Sequence, residues 1–220
     1  MEREGTEGRG DGETMSDETL AFMYRFAKCR VIKAGYAKEI EWQENIRLDK
    51  VTEQDFLREL AWVILASGMK EKIIRQVFPR ITAAFLDFGS AEAITEHETE
   101  CKAEALKAFN NKRKIGAIIA GAWKVKGNGW FHIKKRLQGS KDPLGVLREF
   151  SFIGPITCYH LAKNIGLPVA KPDRHLVRIA EGEGYEDVQA FCSHISELTG
   201  DSVPVVDIVL WRYATLEGSK

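Results

Sequence analysis

Past residue 17, no stretch of the chain keeps the apolar–polar alternation of a half-buried strand. Apolar residues recur instead at helical spacing, in blocks bounded by capping residues and glycines. ETLAFMYRFAKCRVIKAG follows Ser16 and Asp17, both able to cap it, and stops at Gly35. TEQDFLRELAWVILASG opens with Thr52 and Asp55 in capping-box spacing and sets Phe56, Leu60, Val63 and Ile64 on one face. Shorter helical segments follow at KEKIIRQVF, ITAAFLDF and ITEHETECKAEALKAFN, and KRKIGAIIAGAWKV closes on the turn signal KGNGW. DPLGVLREF has Pro143 in its first turn, TCYHLAKNIG ends at Gly166, and Pro204 suits the first turn of VPVVDIVLWRYATLEG. No repeat of solenoid length interrupts the series. The fold class is all-α.

The chain has 220 residues, enough for a sizeable core. Residues 1–17 are Gly- and Glu-rich without apolar periodicity and read as a disordered acidic tail. Residues 18–220 form the folded part, expected as two helical lobes of approximately 51–130 and 18–50 plus 131–220. No apolar run reaches membrane-span length and no signal-peptide core precedes the first helix, so the expected compartment is the cytoplasm, or the nucleus of a eukaryote. Cys29, Cys101, Cys158 and Cys192 lack CxxC spacing and read as reduced, buried or semi-buried thiols. His160, His175 and His194 do not share ligand spacing, and neither a metal nor a cofactor is expected.

The formal net charge of zero is unevenly distributed. Seven acids crowd residues 1–18, whereas residues 110–141 carry nine Lys or Arg and no acid. Such a field suits a polyanion, although a solvated surface also accounts for it. The segment FSFIGPITCYHLAKNIG adds an independent sign: two helical stretches joined by a turn containing Gly154. Backbone N–H groups around Gly154, Ile156 and Thr157, at the start of the second helix, are suited to a phosphate. An ordinary helix–helix corner fits the same residues. Nineteen residues after Gly154, Asp173 leads RHLVRIA, with Arg174, His175 and Arg178 beside it.

This combination resembles the helix-hairpin-helix DNA glycosylase superfamily, best over residues 144–180 and more loosely from about 51 to 215. The resemblance implies a DNA partner, an essential carboxylate at Asp173, and phosphate contacts from Gly154, Ile156, Thr157, Arg174, His175 and Arg178. FSFIGPITCY with NKRKIGAIIAGAW upstream is similar to segments of 3-methyladenine DNA glycosylase I. That family's zinc pattern is missing, and ELAWVILASGMK holds no match for its purine-reading glutamate. The four-cysteine cluster of endonuclease III is absent too.

In bifunctional members a nucleophilic lysine stands where this chain has Ile156. Isoleucine cannot attack a sugar, so the resemblance implies a monofunctional enzyme in which water displaces the base; Lys163 and Lys171 remain as reserve nucleophiles. A fixed Asp173 carboxylate would stabilise the oxocarbenium-like sugar and orient the water. Base extrusion needs a wedge and a pocket. Met69, in the loop ASGMKEK, is the wedge candidate; Trp62, Tyr159 and Trp211 are pocket candidates between the lobes, and each also fits plain core. Three rivals stay open: a silent DNA-binding module, a glycosylase with lyase activity from another lysine, and a helical interaction protein. The base is not legible. Alkylated purines and modified cytosines, including those of viral genomes, both fit, and the second would make the enzyme a defence factor.

Overall fold

The computed structural model describes residues 15–218, and among them every regular element is helical. Most of the expected acidic tail lies outside the described residues, and its last part is not tail: Ser16 caps the first helix and Asp17 begins it. That helix, α1 (Asp17–Val31), passes through a π-helical turn at Ile32–Tyr36, with Gly35 at φ 93°, into α2 (Ala37–Asn45). The chain then builds α3 (Glu53–Ala66), α4 (Glu71–Ala84), α5 (Ala91–Glu96), α6 (Glu98–Ala108) and α7 (Lys112–Asn128). After these come α8 (Trp130–Gly139), α9 (Pro143–Arg148), α10 (Thr157–Asn164), α11 (Arg174–Gly182), α12 (Val188–Thr199) and α13 (Val203–Glu217). No helix among the described residues is long and apolar enough to cross a membrane.

Local chemistry accounts for most starts. At α3 the capping box closes in both directions: Asp55 N–H donates to Thr52 Oγ1 at 3.1 Å, and Thr52 N–H donates to Asp55 Oδ2 at 2.9 Å. Phe56, Leu60, Val63 and Ile64 are all buried on its inner face. KEKIIRQVF and the start of ITAAFLDF, expected as separate segments, form one helix, and α4 runs through the Pro79 between them. Ile74, Phe78 and Ile81 are buried on both sides of the proline, and this continuous stripe offsets the roughly 3 kcal/mol that an interior proline costs. The segment read as one helix over 94–110 is instead divided at His97 between α5 and α6.

Two apolar clusters form the core. The first runs from Leu48 to Leu167; the second joins Leu20–Ile40 to Ala170–Leu210. Along the chain the first cluster gives way to the second near residue 168. Trp130 stacks on Phe56 at 4.5 Å and donates from Nε1–H to Val51 O at 3.0 Å, and Phe150 meets the same Phe56 ring at 5.3 Å, so both ends of the α8–α9 segment pack onto α3. Of the cysteines, Cys101, Cys158 and Cys192 are buried, and burial raises their thiol pKa values. Cys29 is exposed, contrary to the sequence reading.

Candidate active site

Between α9 and α10 the chain makes the tight turn that the Gly–Pro pair suggests, but its backbone chemistry differs from expectation. The left-handed residue is Phe152, at φ 66°, and not Gly154. A Cβ on Gly154 would meet only Thr157 Oγ1, at 3.9 Å. Gly154 N–H is also already committed, donating to Thr157 Oγ1 at 2.7 Å, while that hydroxyl donates to Phe152 O at 3.1 Å. Gly154 thus drops out as a free phosphate donor. Pro155 has no N–H, and Ile156 is exposed at the tip of the turn. The available backbone donors are those of Ile156 and Thr157, at the start of α10.

The basic start of α7 reaches both this turn and the loop after α3. Lys114 Nζ donates to Leu65 O and Ser67 O, each at 2.6 Å, and holds the loop that displays Met69. The neighbouring Arg113 guanidinium lies 5.7 Å from the Phe152 ring centroid. One face of the first lobe therefore gathers exposed Met69, Arg113, Phe152 and Ile156.

Asp173 is the N-cap of α11. Its Oδ1 accepts from His175 N at 2.9 Å and Leu176 N at 3.2 Å, and its Oδ2 has no hydrogen-bond partner among the described residues. The preceding chain is pinned: Asp173 N–H donates to Lys171 O at 2.8 Å across Pro172, and Lys171 N–H donates to Asp207 Oδ2 at 2.6 Å. The other oxygen of Asp207 holds the Lys163 ammonium in a buried ion pair. Lys163 O in turn accepts from Gln43 Nε2 at 2.9 Å. Lys163 belongs to α10 and the first lobe, Asp207 to α13 and the second. Asp173 accordingly sits at the seam between the lobes.

Arg174 and Arg178 project from α11 into solvent, while His175 is half-buried. His160, on α10, is half-buried near Lys163 and Lys171; burial first, then these two cations, holds its imidazole well below the usual histidine range. Burial also lowers the Lys171 ammonium, against the pull of Asp173, Asp207 and Glu71.

A second ionic cluster crosses the seam nearby. Arg212, buried on α13, meets Glu39 of α2 at 2.6 Å and Glu71 of α4 at 3.2 Å, and Arg75 meets Glu39 at 2.7 Å. Its cations face the aromatic candidates: Arg75 lies 5.7 Å from the Trp62 centroid, and Arg212 lies 4.6 Å from that of Trp211 and 4.2 Å from that of Tyr36. Trp62 and Trp211, far apart in sequence, are thus linked through Arg75, Glu71 and Arg212. Tyr159 packs half-buried against the first core. Sequence reading missed Glu39, Glu71, Arg75, Arg212 and Asp207. Only the Glu71–Arg75 pair, spaced i,i+4, carried a local signal.

No family model, no curated protein and no solved structure matches the chain.

Proposed function

We propose that the protein is a monofunctional DNA N-glycosylase that extrudes a damaged or modified base and releases it by water attack, leaving an abasic site. The observation that carries this reading is the division of labour on Asp173. One oxygen fixes the carboxylate to the start of α11, and the other has no hydrogen-bond partner among the described residues, on a turn tied through Asp207 to the buried Lys163 ammonium. A carboxylate held this way is pre-oriented to stabilise positive charge growing on a deoxyribose ring and to direct a water at C1′. Arg174, Arg178 and the free N–H groups at the start of α10 are suited to the flanking phosphates. Met69, and Phe152 under Arg113, offer exposed side chains on one face for the gap left by the extruded nucleotide.

The test is base release from a panel of duplexes bearing alkylated purines and modified cytosines, followed by alkali to cut abasic sites. Asparagine caps a helix as well as aspartate does, so Asp173→Asn keeps the fold while removing the charge. Alkali-dependent release from one substrate class, lowered about a hundredfold or more in the variant, is the expected result. Equal release by both proteins, or DNA binding with no release from any substrate, overturns the reading.

A further inference from the structure

Helix α1 is apolar on two opposite faces. Leu20, Tyr24, Ala27 and Val31 recur at intervals of four, three and four residues and are buried in the second core. On the other side Phe22, Phe26 and Cys29 recur at intervals of four and three, and there Phe22 is 66% exposed and Phe26 47%. Four of the twelve large apolar side chains exposed among the described residues (Phe22, Met23, Phe26 and Ile32) lie on this helix or in the turn after it, a concentration that marks an interaction surface. The Tyr213 ring of α13 meets that of Phe26 edge-on at 6.4 Å and extends the stripe sideways. A helix apolar all round belongs in an interior, and α1 is covered on one side only.

Charge selects the cover. α1 starts with Asp17 and Glu18, and its end and the following turn carry Arg30 and Lys33. Glu18 and Lys33 have no ion-pair partner among the described residues. A helix acidic at one end and basic at the other is complementary to a reversed copy of itself, and reversal also opposes the two helix dipoles. Beside the basic end lies a groove of about 310 Å³ bordered by Arg30, Lys33, Tyr213 and Leu216, with room for the acidic start of a second α1. The seven acids of residues 1–18 lead straight into this face and disfavour a nucleic acid or an anionic bilayer on it. We infer that α1 is a dimerisation face, on which a second copy of the chain packs its own α1 antiparallel about a twofold axis. Phe22 of each copy lies alongside the partner's Phe26, and Glu18 of each lies beside the partner's Arg30 and Lys33. The dimer needs no assumption about the reaction catalysed.

The experiment is sedimentation equilibrium of the full chain over a micromolar concentration series. Wild type is expected at twice the mass of one chain. Phe22→Ser combined with Phe26→Ser, both outside the core, should weaken the dimer at least about a hundredfold with circular dichroism unchanged. Glu18→Lys alone should weaken it about tenfold, because the reversal acts at two symmetric contacts, and adding Lys33→Glu should restore it. A monomer at every concentration overturns the inference, as does a dimer that survives loss of both phenylalanines or a charge swap that restores nothing. A disulfide joining Cys29 of two copies on mild oxidation would show the helices parallel and overturn the antiparallel pairing. Monomers that bind phosphatidylserine vesicles through the same two rings overturn it in favour of a lipid surface.

Discussion

Asp142 and Asp173 each close the start of a short helix with Oδ1, which lies 2.8 Å from Gly145 N in the first case and 2.9 Å from His175 N in the second. Their second oxygens part ways. Asp142 Oδ2 meets Arg148 at 3.0 Å on an exposed surface, so the carboxylate is used up locally. Asp187, capping α12, spends both oxygens on N–H groups of its own helix. Asp173 alone among these three caps keeps an oxygen in reserve, and it does so above a buried ion pair. A cap is a common device and says little about function. A cap whose spare oxygen is left open at a seam between two lobes is a different object, because the capping bonds then serve as a mount.

The mount depends on what lies behind it, which is where the largest effect is expected. Asp207→Ala would leave the Lys163 ammonium buried without its partner and free the Lys171 N–H, costing about 3–5 kcal/mol in a urea titration. A cost under about 1 kcal/mol would mean the pair is solvated and the turn below Asp173 is not held by it. Next comes the charge itself. Asp142→Asn should leave base release untouched, whereas Asp173→Asn lowers it about a hundredfold, worth roughly 2.7 kcal/mol of barrier. Equal loss in both variants would reduce the comparison to helix stability.

Legibility followed the range of the interactions. The capping box of Thr52 and Asp55, the end of α10 at Gly166 and the N-cap role of Asp173 are settled within a few residues, and all could be read from the sequence. Gly166 illustrates the limit: its φ of 86° follows from a helix end, yet a Cβ there would also come within 2.7 Å of Leu48 N, a contact no local pattern announces. The packing of Trp130 and Phe150 on Phe56, 74 and 94 positions apart in the chain, has no local sequence signal either. The two segments that make up α4 join across Pro79 because Ile74, Phe78 and Ile81 are buried together, which a local pattern broken by a proline does not announce. The ionic cluster at the seam was invisible for the same reason: Arg212 and Glu39 lie 173 positions apart. At the α9–α10 turn the sequence offered the Gly154 N–H to a phosphate, but the Thr157 hydroxyl takes it, and the left-handed residue there is Phe152, which no propensity favours.

His160 distinguishes the surroundings of the two caps by pH. Its imidazole, half-buried near Lys163 and Lys171, resists protonation in the folded chain, while the unfolded chain binds the proton below about pH 6.5. The unfolded state then holds more protons, so this group removes stability as pH falls through that value. His160→Gln should flatten the acid side of the stability profile between about pH 7 and pH 5, measured by urea midpoint. An unchanged slope would show that His160 titrates as freely as an exposed histidine and that the seam is wet.

The smallest effect belongs to the exposed cap. Arg148 and Asp142 are both about half exposed, and their contact is screened by water and salt, so Arg148→Ala should cost at most about 0.5 kcal/mol. With Arg148 gone, Asp142 also has a spare oxygen on a capped carboxylate, which makes the variant a direct control for the role of surroundings. Its base-release rate should equal that of wild type, because the freed oxygen faces bulk solvent with no buried pair beneath it. A gain or loss of activity on removing Arg148 would mean that α9 takes part in holding the substrate, and the contrast between the two caps would have to be redrawn as two halves of one binding face.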